Sequence, residues 1–375
     1  MVVDRIECWV FRAPVAQPVK SAVGDFSNRP ALFVRLTDDE GARGWGEVFC
    51  NFPQVGAEHR ARLIDSLVAP LARGMPLDDP ASLQEALQSR LRRLIIQCGE
   101  YGPFAQVLGA LDQAAWDLHA RRLGVPLWRA LSGSRSGEAR VRPYASGLGP
   151  EKVGELARRK RDEGFRAFKL KVGFGNEVDL ANLRELRAAV GEDAPIMLDA
   201  NQAWTEAEAR ERLRRLAEDG PPLWIEEPMA ADEPLSSWRA LADGVGMDLA
   251  AGENIRGLRD FEAALANGHL RYVQPDVGKW GGLTGALAVG RMAQAHGALL
   301  CPHWLGGGVG LAASLHVCAA LGADGWAEVD ANPNPLRERV FGAMPLSEGR
   351  YLMPERPGLG IEPDLDALAP LRVAH

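Results

Sequence analysis

The sequence predicts an α/β protein in which an α+β region is followed by a closed (β/α) barrel. The first observation is a series of eight short apolar runs that are typical of buried strands, at 141–146, 166–171, 195–199, 223–227, 248–253, 270–275, 298–302 and 326–329. The second is that helical segments rich in Arg, Glu and Ala separate the earlier runs. Strands that alternate with helices form parallel sheets, and eight of them within about 190 residues favour a closed barrel over an open sheet.

The third observation is that charged side chains stand at the ends of these runs. Asp199, Glu226 and Glu253 follow one another at intervals of 27 residues. The other runs end in further polar side chains, namely Lys169 with Lys171, Asp276, His303 and Glu328. Because catalytic groups of a (β/α) barrel lie at the C-terminal ends of its strands, we expect these side chains to converge on one site.

The N-terminal third is predicted to be a separate α+β domain. Short apolar runs before residue 49 favour an antiparallel meander with irregular loops at 15–30 and 49–56, and spacing of three and four residues predicts helices between about 58 and 131. Glycines near residue 133 mark a boundary. We therefore predict domains at 1–135 and 136–330, and a tail at 331–375 that packs back on the first domain.

Composition and charge exclude several classes of protein. The 375 residues are 46% hydrophobic and 25% charged, as in globular proteins, and the net charge of −7 argues against nucleic acid or an acidic membrane as partner. The N-terminus lacks the apolar core of an export signal, so we expect a cytoplasmic protein. The cysteines follow no CxxC spacing, which indicates neither a zinc site nor a disulfide framework: Cys8, Cys50, Cys98, Cys301 and Cys318.

The three evenly spaced acids predict a metal site. Three carboxylates without a nearby Cys or His suit a hard divalent ion, with Mg²⁺ first and Mn²⁺ as the alternative. Singly, such acids more often pair with arginines or cap helices, but Asp199, Glu226 and Glu253 in even series favour the metal. Asn201, two residues beyond Asp199, is predicted to position a substrate oxygen.

Two groups are predicted to act as acids or bases beside the metal. Lys169 and Lys171 point to the same side of one strand, where mutual repulsion should lower at least one pKa and create a general base. His303 and Asp276 suit an acid–base pair in which the carboxylate orients the imidazole. The remaining histidines are predicted to be structural: His59, His119, His269, His296, His316 and His375.

A metal that binds a substrate carboxylate, with a base on each face of the substrate, is suited to removing the proton α to that carboxylate. The ion and Lys169 would stabilise the resulting enediolate. Reprotonation on the other face would give racemisation, whereas expulsion of a β-hydroxyl would give dehydration. Glu328 has two readings: when protonated it could hydrogen-bond a substrate carboxylate, or it forms an ion pair that closes the barrel.

Taken together, these motifs resemble the enolase superfamily, and within it the mandelate racemase subgroup. The matching pieces are Lys169-Leu-Lys171, Asp199-Ala-Asn201, Glu226-Glu-Pro228, Gly252-Glu-Asn254, Pro275-Asp276, Lys279-Trp-Gly-Gly282, His303 and Glu328. The resemblance implies a modified (β/α)7β TIM barrel and an N-terminal capping domain that the C-terminal tail completes. It also implies that Lys171 is the base on one face, that the Asp276–His303 pair serves the other, and that loops 15–30 and 49–60 close over the substrate.

Lys279 makes the assignment to the mandelate racemase subgroup less distinct. Lys279 lies near the position of the opposing lysine base in the related muconate-lactonising enzymes, but Glu253 and His303 favour the mandelate racemase arrangement and leave Lys279 as a supporting residue.

Three functions remain open from the sequence. An acid-sugar dehydratase that forms a 2-keto-3-deoxy acid is favoured, and polar loop residues suit its polyhydroxy substrate: Lys20, Asn28, Arg29, Asn51 and Gln54. A racemase or epimerase of a hydroxy acid or amino-acid derivative is the alternative, which Phe26, Phe49 and Phe52 keep open for an aromatic acid. A non-catalytic carboxylate-binding protein would not need the bases. Trp304, directly after His303, is also expected to contact the small carboxylate substrate, and we expect a homo-oligomer.

Overall fold

The computed structural model describes residues 1–21, 24–133, 137–322 and 324–375, and the side chains of residues 16–26 lie outside this description. Its strands are β1 (Val3–Ser21), β2 (Gly24–Asp38), β3 (Arg43–Val48), β4 (Arg140–Val141), β5 (Pro143–Leu148), β6 (Phe168–Lys171), β7 (Ile196–Asp199), β8 (Ile225–Glu226), β9 (Leu249–Ala251), β10 (Leu270–Val273), β11 (Leu299–Leu300), β12 (Ala327–Asp330), β13 (Leu346–Ser347), β14 (Arg350–Leu352) and β15 (Arg372–Val373). Its α-helices are α1 (Gly56–Leu63), α2 (Ala69–Ala72), α3 (Pro80–Cys98), α4 (Tyr101–Arg122), α5 (Leu127–Ser132), α6 (Val153–Asp162), α7 (Asn176–Val190), α8 (Glu206–Ala217), α9 (Leu235–Val245), α10 (Leu258–Ala266), α11 (Gly282–Ala295), α12 (Gly308–Leu321), α13 (Pro335–Phe341) and α14 (Leu365–Leu368). A π-helical segment spans Ile64–Val68, and a 3₁₀ turn spans Ala369–Leu371.

The N-terminal part is an antiparallel sheet covered by helices. Its strand order is β15-β1-β2-β3, so the C-terminal tail completes the sheet. The loop predicted at 15–30 is wrong, because β1 and β2 continue as a hairpin as far as the pair Ser21 and Gly24. Pro14 and Pro18 disturb the alternating pattern, since proline cannot donate to a ladder, and the register shifts between Pro14 and Val19 without ending the strands.

The two faces of this sheet bury different cores. Residues such as Cys8, Val10 and Val34 pack with the helices of the N-terminal domain. Their neighbours along the strands, such as Phe11 and Phe33, join the core shared with the barrel. Because successive side chains of a strand point to opposite faces, the sheet packs against the cap helices on one face and against the barrel on the other.

Eight parallel strands form the barrel, in the order β11-β10-β9-β8-β7-β6-β5-β12. The seam between β11 and β12 is tight, since a Cβ at Gly325 would collide with the carbonyl oxygen of Leu300. The backbone N–H of Trp326 also donates to Cys301 Sγ across this seam at 3.4 Å. The predicted fold class, a TIM barrel with an α+β cap completed by the tail, is confirmed.

Alternate residues of the strands fill the barrel in layers. The lower layer is apolar and is plugged by Trp224, whose ring centroid lies 4.5 Å from that of Tyr272 and 5.5 Å from that of Tyr144. Two residues further along most of the strands, the interior becomes charged: Lys169, Asp199, Glu226, His303 and Glu328. The buried apolar layer therefore lies beneath the charged layer, which is at the C-terminal ends of the strands.

Helix α12 is buried over most of its length and carries His316 inside. The His316 Nδ1 atom accepts the backbone N–H of Trp128 at 3.0 Å, and Nε2 donates to the carbonyl of Leu359 at 3.2 Å. These contacts require a neutral ring, and burial lowers the pKa of His316 to about 4. None of the helices in the described ranges combines the length and hydropathy of a membrane span.

Neutral His316 is expected to make stability fall with acid. The unfolded chain takes up the proton near pH 6.5 and the folded chain only near pH 4. The contribution is therefore complete above about pH 6.5 and is lost between about 6.5 and 4, by up to about 3 kcal/mol. Urea unfolding of the protein and of His316→Gln at several pH values should show their difference in unfolding free energy shrinking over this window. A difference that does not change with pH would contradict the assignment.

Candidate active site

Lys169 lies at the centre of the charged layer and is fully buried. Its Nζ atom lies 2.6 Å from Glu226 Oε2, 2.7 Å from Glu328 Oε1 and 3.6 Å from Asp199 Oδ2. Strand β6 therefore joins acids from β7, β8 and β12 through a single ammonium group.

Lys171 lies one pleat above Lys169 and is partly exposed. Its Nζ atom donates to Asp199 Oδ2 at 2.6 Å and to Asn201 Oδ1 at 2.6 Å. Asn201 has a left-handed backbone with φ of 43°, and its N–H donates back to Asp199 at 2.9 Å. The side-chain oxygen of Asn201 therefore orients Lys171, and the contact of Asn201 with a substrate oxygen stays a prediction.

The prediction that one of the two lysines has a lowered pKa is wrong, because the charges of the protein raise the pKa of both. Burial lowers the pKa of Lys171 and Lys169 opposes its charge, but the nearby carboxylates, Asp199 foremost, outweigh both and raise it. Burial also lowers the pKa of Lys169, yet Glu226 and Glu328 raise it well above its usual value. Repulsion between the two lysines is therefore weaker than their attraction to the acids around them.

His303 faces the site from β11 and is held from behind by Asp276. The Nδ1 atom lies 2.6 Å from Asp276 Oδ2, while Asp276 Oδ1 accepts the backbone N–H groups of Gly278 and Lys279 at 2.7 and 3.1 Å. His303 Nε2 points to Glu253 Oε2 at 2.7 Å. Burial lowers the pKa of His303, but Glu253 and the other acids raise it well above its usual value.

The three predicted metal ligands lie close enough for the charges of Asp199 and Glu253 to act on Glu226. Glu226 Oε1 is buried without a hydrogen-bond partner among the described residues, although Oε2 contacts Lys169 and the amide of Gln274. Burial and then the charge of Asp199 raise the pKa of Glu226 to about 7. Burial acts against the charge of Glu253, but His303 and Lys279 hold its pKa well below the usual value. Crowded carboxylates with an unsatisfied oxygen fit a hard divalent cation.

Glu328 follows its ion-pair reading. Its oxygens accept from Lys169, the hydroxyl of Ser146 and the backbone N–H of Trp304. Burial acts to raise its pKa, but Lys169 and then His303 outweigh burial and lower it, which favours the carboxylate form.

The predicted substrate-binding residues of the loops have other partners. Arg29 is buried and pairs with Asp330 Oδ2 at 2.7 Å, and Asn51 Nδ2 donates to the carbonyl of Leu305 at 2.6 Å. Both therefore tie the cap to the barrel, and their contacts with substrate stay predictions. The side chain of Lys20 lies outside the described residues.

The ring of Trp304 is buried among glycines of the loops that follow the strands, and its contact with substrate stays a prediction. The indole N–H donates to the carbonyl of Gly307 at 2.9 Å. The ring packs so closely on Gly310 that a Cβ there would collide with it. A wholly enclosed ring with its N–H already bonded belongs to the core.

Lys279 lies at the edge of the site, on the same side as His303. Its Nζ atom lies 3.1 Å from Glu253 Oε2 and 4.6 Å from the centre of the Phe49 ring. A cleft of about 720 Å³ opens beside it, lined by Phe52 and Arg256 among others. The loop at 49–56 therefore reaches the rim of the site.

Several buried polar residues of the site were not predicted. Gln274 and Ser146 hold Glu226 and Glu328, and Asn254 donates to both oxygens of Glu227 at 3.0 and 2.9 Å. Burial raises the pKa of Glu227 to about 8. Gln274 and Ser146 lie in predicted strands in phase with the inward-facing residues, so the period of two could have identified them.

Family comparisons cover most of the chain. Residues 5–132 match the Mandelate racemase / muconate lactonizing enzyme, N-terminal domain, and residues 152–367 match the Enolase C-terminal domain-like family. D-galactarolactone cycloisomerase of Agrobacterium fabrum is 32% identical over 95% of both chains. Arabinonate dehydratase of Saccharolobus solfataricus is 31% identical over 79% of both.

Solved structures agree over the whole length. A mandelate racemase/muconate lactonizing enzyme from Bordetella bronchiseptica RB50 has a TM-score of 0.90 and 44% identity, with 99% of both chains covered. A Bradyrhizobium enolase complexed with magnesium and mandelic acid has a TM-score of 0.86 and 28% identity, covering 100% of this chain and 99% of that one. The chain therefore belongs to the enolase superfamily, in the mandelate racemase/muconate lactonizing enzyme family, and is an enzyme.

Proposed function

We propose that the protein removes the proton α to a substrate carboxylate in a Mg²⁺-dependent reaction and dehydrates a sugar acid to a 2-keto-3-deoxy acid. The observation that carries the proposal is the placement of two bases against one set of carboxylates. Lys171 contacts Asp199 and His303 contacts Glu253, each at 2.6–2.7 Å, from strands on different sides of the ring.

Asp199, Glu226 and Glu253 would hold the ion, and Mn²⁺ is expected to substitute because it takes the same oxygen ligands. When bound, the ion would polarise the substrate carboxylate and offset the acids that raise the pKa of Lys171. The Bradyrhizobium neighbour is complexed with magnesium and mandelic acid, which supports this assignment.

The residues of the chain then have distinct roles in dehydration. Neutral Lys171 takes the α-proton, and the electron pair of the broken C–H bond moves into the carboxylate system as an enediolate, which Lys169 stabilises by charge. His303 gives its proton to the β-hydroxyl, which leaves as water while the electrons form the enol. Asp276 stabilises the protonated imidazole before this step and keeps its Nε2 directed at the substrate.

Isomerisation is the second candidate. Bases on two sides of the carboxylates can return a proton on the opposite face as well as assist water loss. One relative that covers 95% of the chain is a cycloisomerase. The dehydratase is favoured here because Arabinonate dehydratase is also a relative and because a histidine held by a carboxylate is suited to protonating a leaving hydroxyl.

Replacing Lys279 by methionine tests its supporting role. Removing the ammonium 3.1 Å from Glu253 is expected to lower kcat about tenfold, or about 1.4 kcal/mol, because neither proton transfer uses Lys279. Steady-state kinetics beside Lys171→Ala would check this. A loss equal to that of Lys171→Ala would make Lys279 the opposing base.

The proposed function is tested by screening the purified protein with Mg²⁺ against mono- and diacid sugars and their lactones, in H₂O and in D₂O. Formation of a 2-keto acid from one sugar acid is expected. Deuterium at the α-carbon, or a lactone product, without a dehydrated keto acid would replace dehydration by isomerisation. Binding of acids without any exchange would contradict α-proton chemistry.

A further inference from the structure

A second cluster of metal-binding residue types lies in the capping domain. It comprises Cys8 of β1, Asp65 of the π-helical segment and His375, which follows β15. One ligand atom from each lies within 4.8 Å of the others. Cys8 belongs to the core between the cap sheet and its helices, so this cluster is separate from the barrel interior.

Strand register brings Cys8 and His375 together. The antiparallel pairs Val10 with Val373 and Phe11 with Arg372 place His375 opposite Cys8 when the register is continued by two residues. Residues opposite one another in such a pair have Cβ atoms about 5 Å apart and share a face. The tail therefore delivers an imidazole to the face on which Cys8 lies.

Asp65 approaches from the helical side. It lies in the π-helical segment Ile64–Val68, a distortion that is frequent at functional sites. Ile64 and Val68 are buried, whereas the side chain of Asp65 is 52% exposed and that of His375 is 14% exposed. An ion could thus reach the buried sulfur from solvent along the Asp65 side.

The donor atoms are close enough to converge on one tetrahedral ion once Asp65 and His375 separate slightly from their hydrogen bond. Cys8 Sγ lies 3.5 Å from Asp65 Oδ1 and 3.8 Å from His375 Nε2, and that nitrogen lies 2.9 Å from Asp65 Oδ2. A tetrahedral zinc site separates such donors by about 3.3–3.6 Å. We propose that Cys8, Asp65 and His375 form a binding site for a zinc-class transition-metal ion, with water in the fourth position.

The donor set decides the class of metal. One thiolate, one carboxylate and one neutral imidazole balance a doubly charged ion, and sulfur with imidazole selects zinc-class metals over the magnesium suited to the barrel carboxylates. Binding breaks the S–H bond of Cys8, forms the metal–sulfur bond and releases the proton to solvent. The ion would tie β15 to β1 and to the π-helical segment.

Cobalt is the probe that separates this site from the barrel. The untagged, full-length protein is stripped with chelator, saturated with Mg²⁺ and titrated with Co²⁺, because a thiolate-to-cobalt charge-transfer band requires a sulfur ligand. Cys8 supplies that sulfur, whereas the barrel acids have none. The band is expected in the protein and in the control Cys98→Ser, which removes an exposed thiol.

Asp65→Asn and His375→Gln, both at positions accessible from the surface, should weaken cobalt affinity by more than about tenfold. Zinc should raise the melting temperature of the unchanged protein and leave that of His375→Gln unaltered. If the band is absent from the unchanged protein, or if both variants bind cobalt as tightly as the unchanged protein, the metal site is overturned. The three residues would then form a hydrogen-bonded cluster only. Neither result depends on the proposed reaction.

Discussion

Replacing Lys171 by alanine is expected to lower kcat by about 10²–10⁴-fold, the range that a positioned general base contributes. The variant should also stop exchange of the α-hydrogen with solvent, because the base that breaks the C–H bond is gone. Quenched-flow or steady-state measurement of keto acid, with NMR of recovered substrate from D₂O, checks both. Turnover within tenfold of the unchanged protein would exclude Lys171 as the base.

Lys171→Arg is the matched control for charge. Arginine keeps a cation near Asp199 and Asn201 but does not lose its proton at accessible pH. We expect it to be as inactive as the alanine variant and to melt at a similar temperature to the unchanged protein. Activity in the arginine variant would show that position 171 contributes charge alone.

Replacing Glu226 by glutamine is expected to abolish turnover and to weaken binding of Mg²⁺. The substitution keeps the volume of a fully buried side chain but removes one of three proposed ligand charges and the carboxylate oxygen that has no partner among the described residues. Isothermal titration with Mg²⁺ and activity over a range of Mg²⁺ concentrations would measure the loss. Turnover without metal in this variant would contradict the ligand assignment.

Glu192→Gln provides the control for that experiment. Glu192 is exposed just before β7, at the end of the strand opposite to Asp199. Its replacement removes the same charge from the protein and is expected to leave Mg²⁺ affinity unchanged.

The barrel and its charged layer could be predicted because their signals are local. Each strand is a short apolar run, and each βα unit has nearly the same length, so Asp199, Glu226 and Glu253 recur at one interval. The period of two then places Lys169 and Lys171 on the same side of β6. Because the strands are parallel, all of these residues lie at the same end of the barrel.

The partners of the loop residues could not be predicted, because they are set by contacts between remote parts of the chain. Arg29 pairs with Asp330, which is 301 residues away in the sequence. The ring of Trp304 is enclosed by glycines that only the folded chain packs against it. The direction of the lysine pKa shifts also depends on three acids that only the folded ring assembles. The spacing of residues in the sequence does not reveal how many acids surround each lysine.

Cys8 illustrates the same restriction in the cap. No spacing motif links it to Asp65, 57 residues away, or links Asp65 to His375, which lies 310 residues further along. Only the pairing of β15 with β1 brings the three together.

The most direct measurement of the central claim, that Lys171 and His303 act on two sides of one carboxylate site, is the reaction of His303→Asn in D₂O. Asparagine can still donate to Asp276 but cannot protonate a leaving hydroxyl. With the acid found in the screen, we expect deuterium at the α-carbon of recovered substrate, placed there through Lys171, and keto acid formation reduced at least about 100-fold. Full turnover by His303→Asn, or complete loss of exchange, would contradict it.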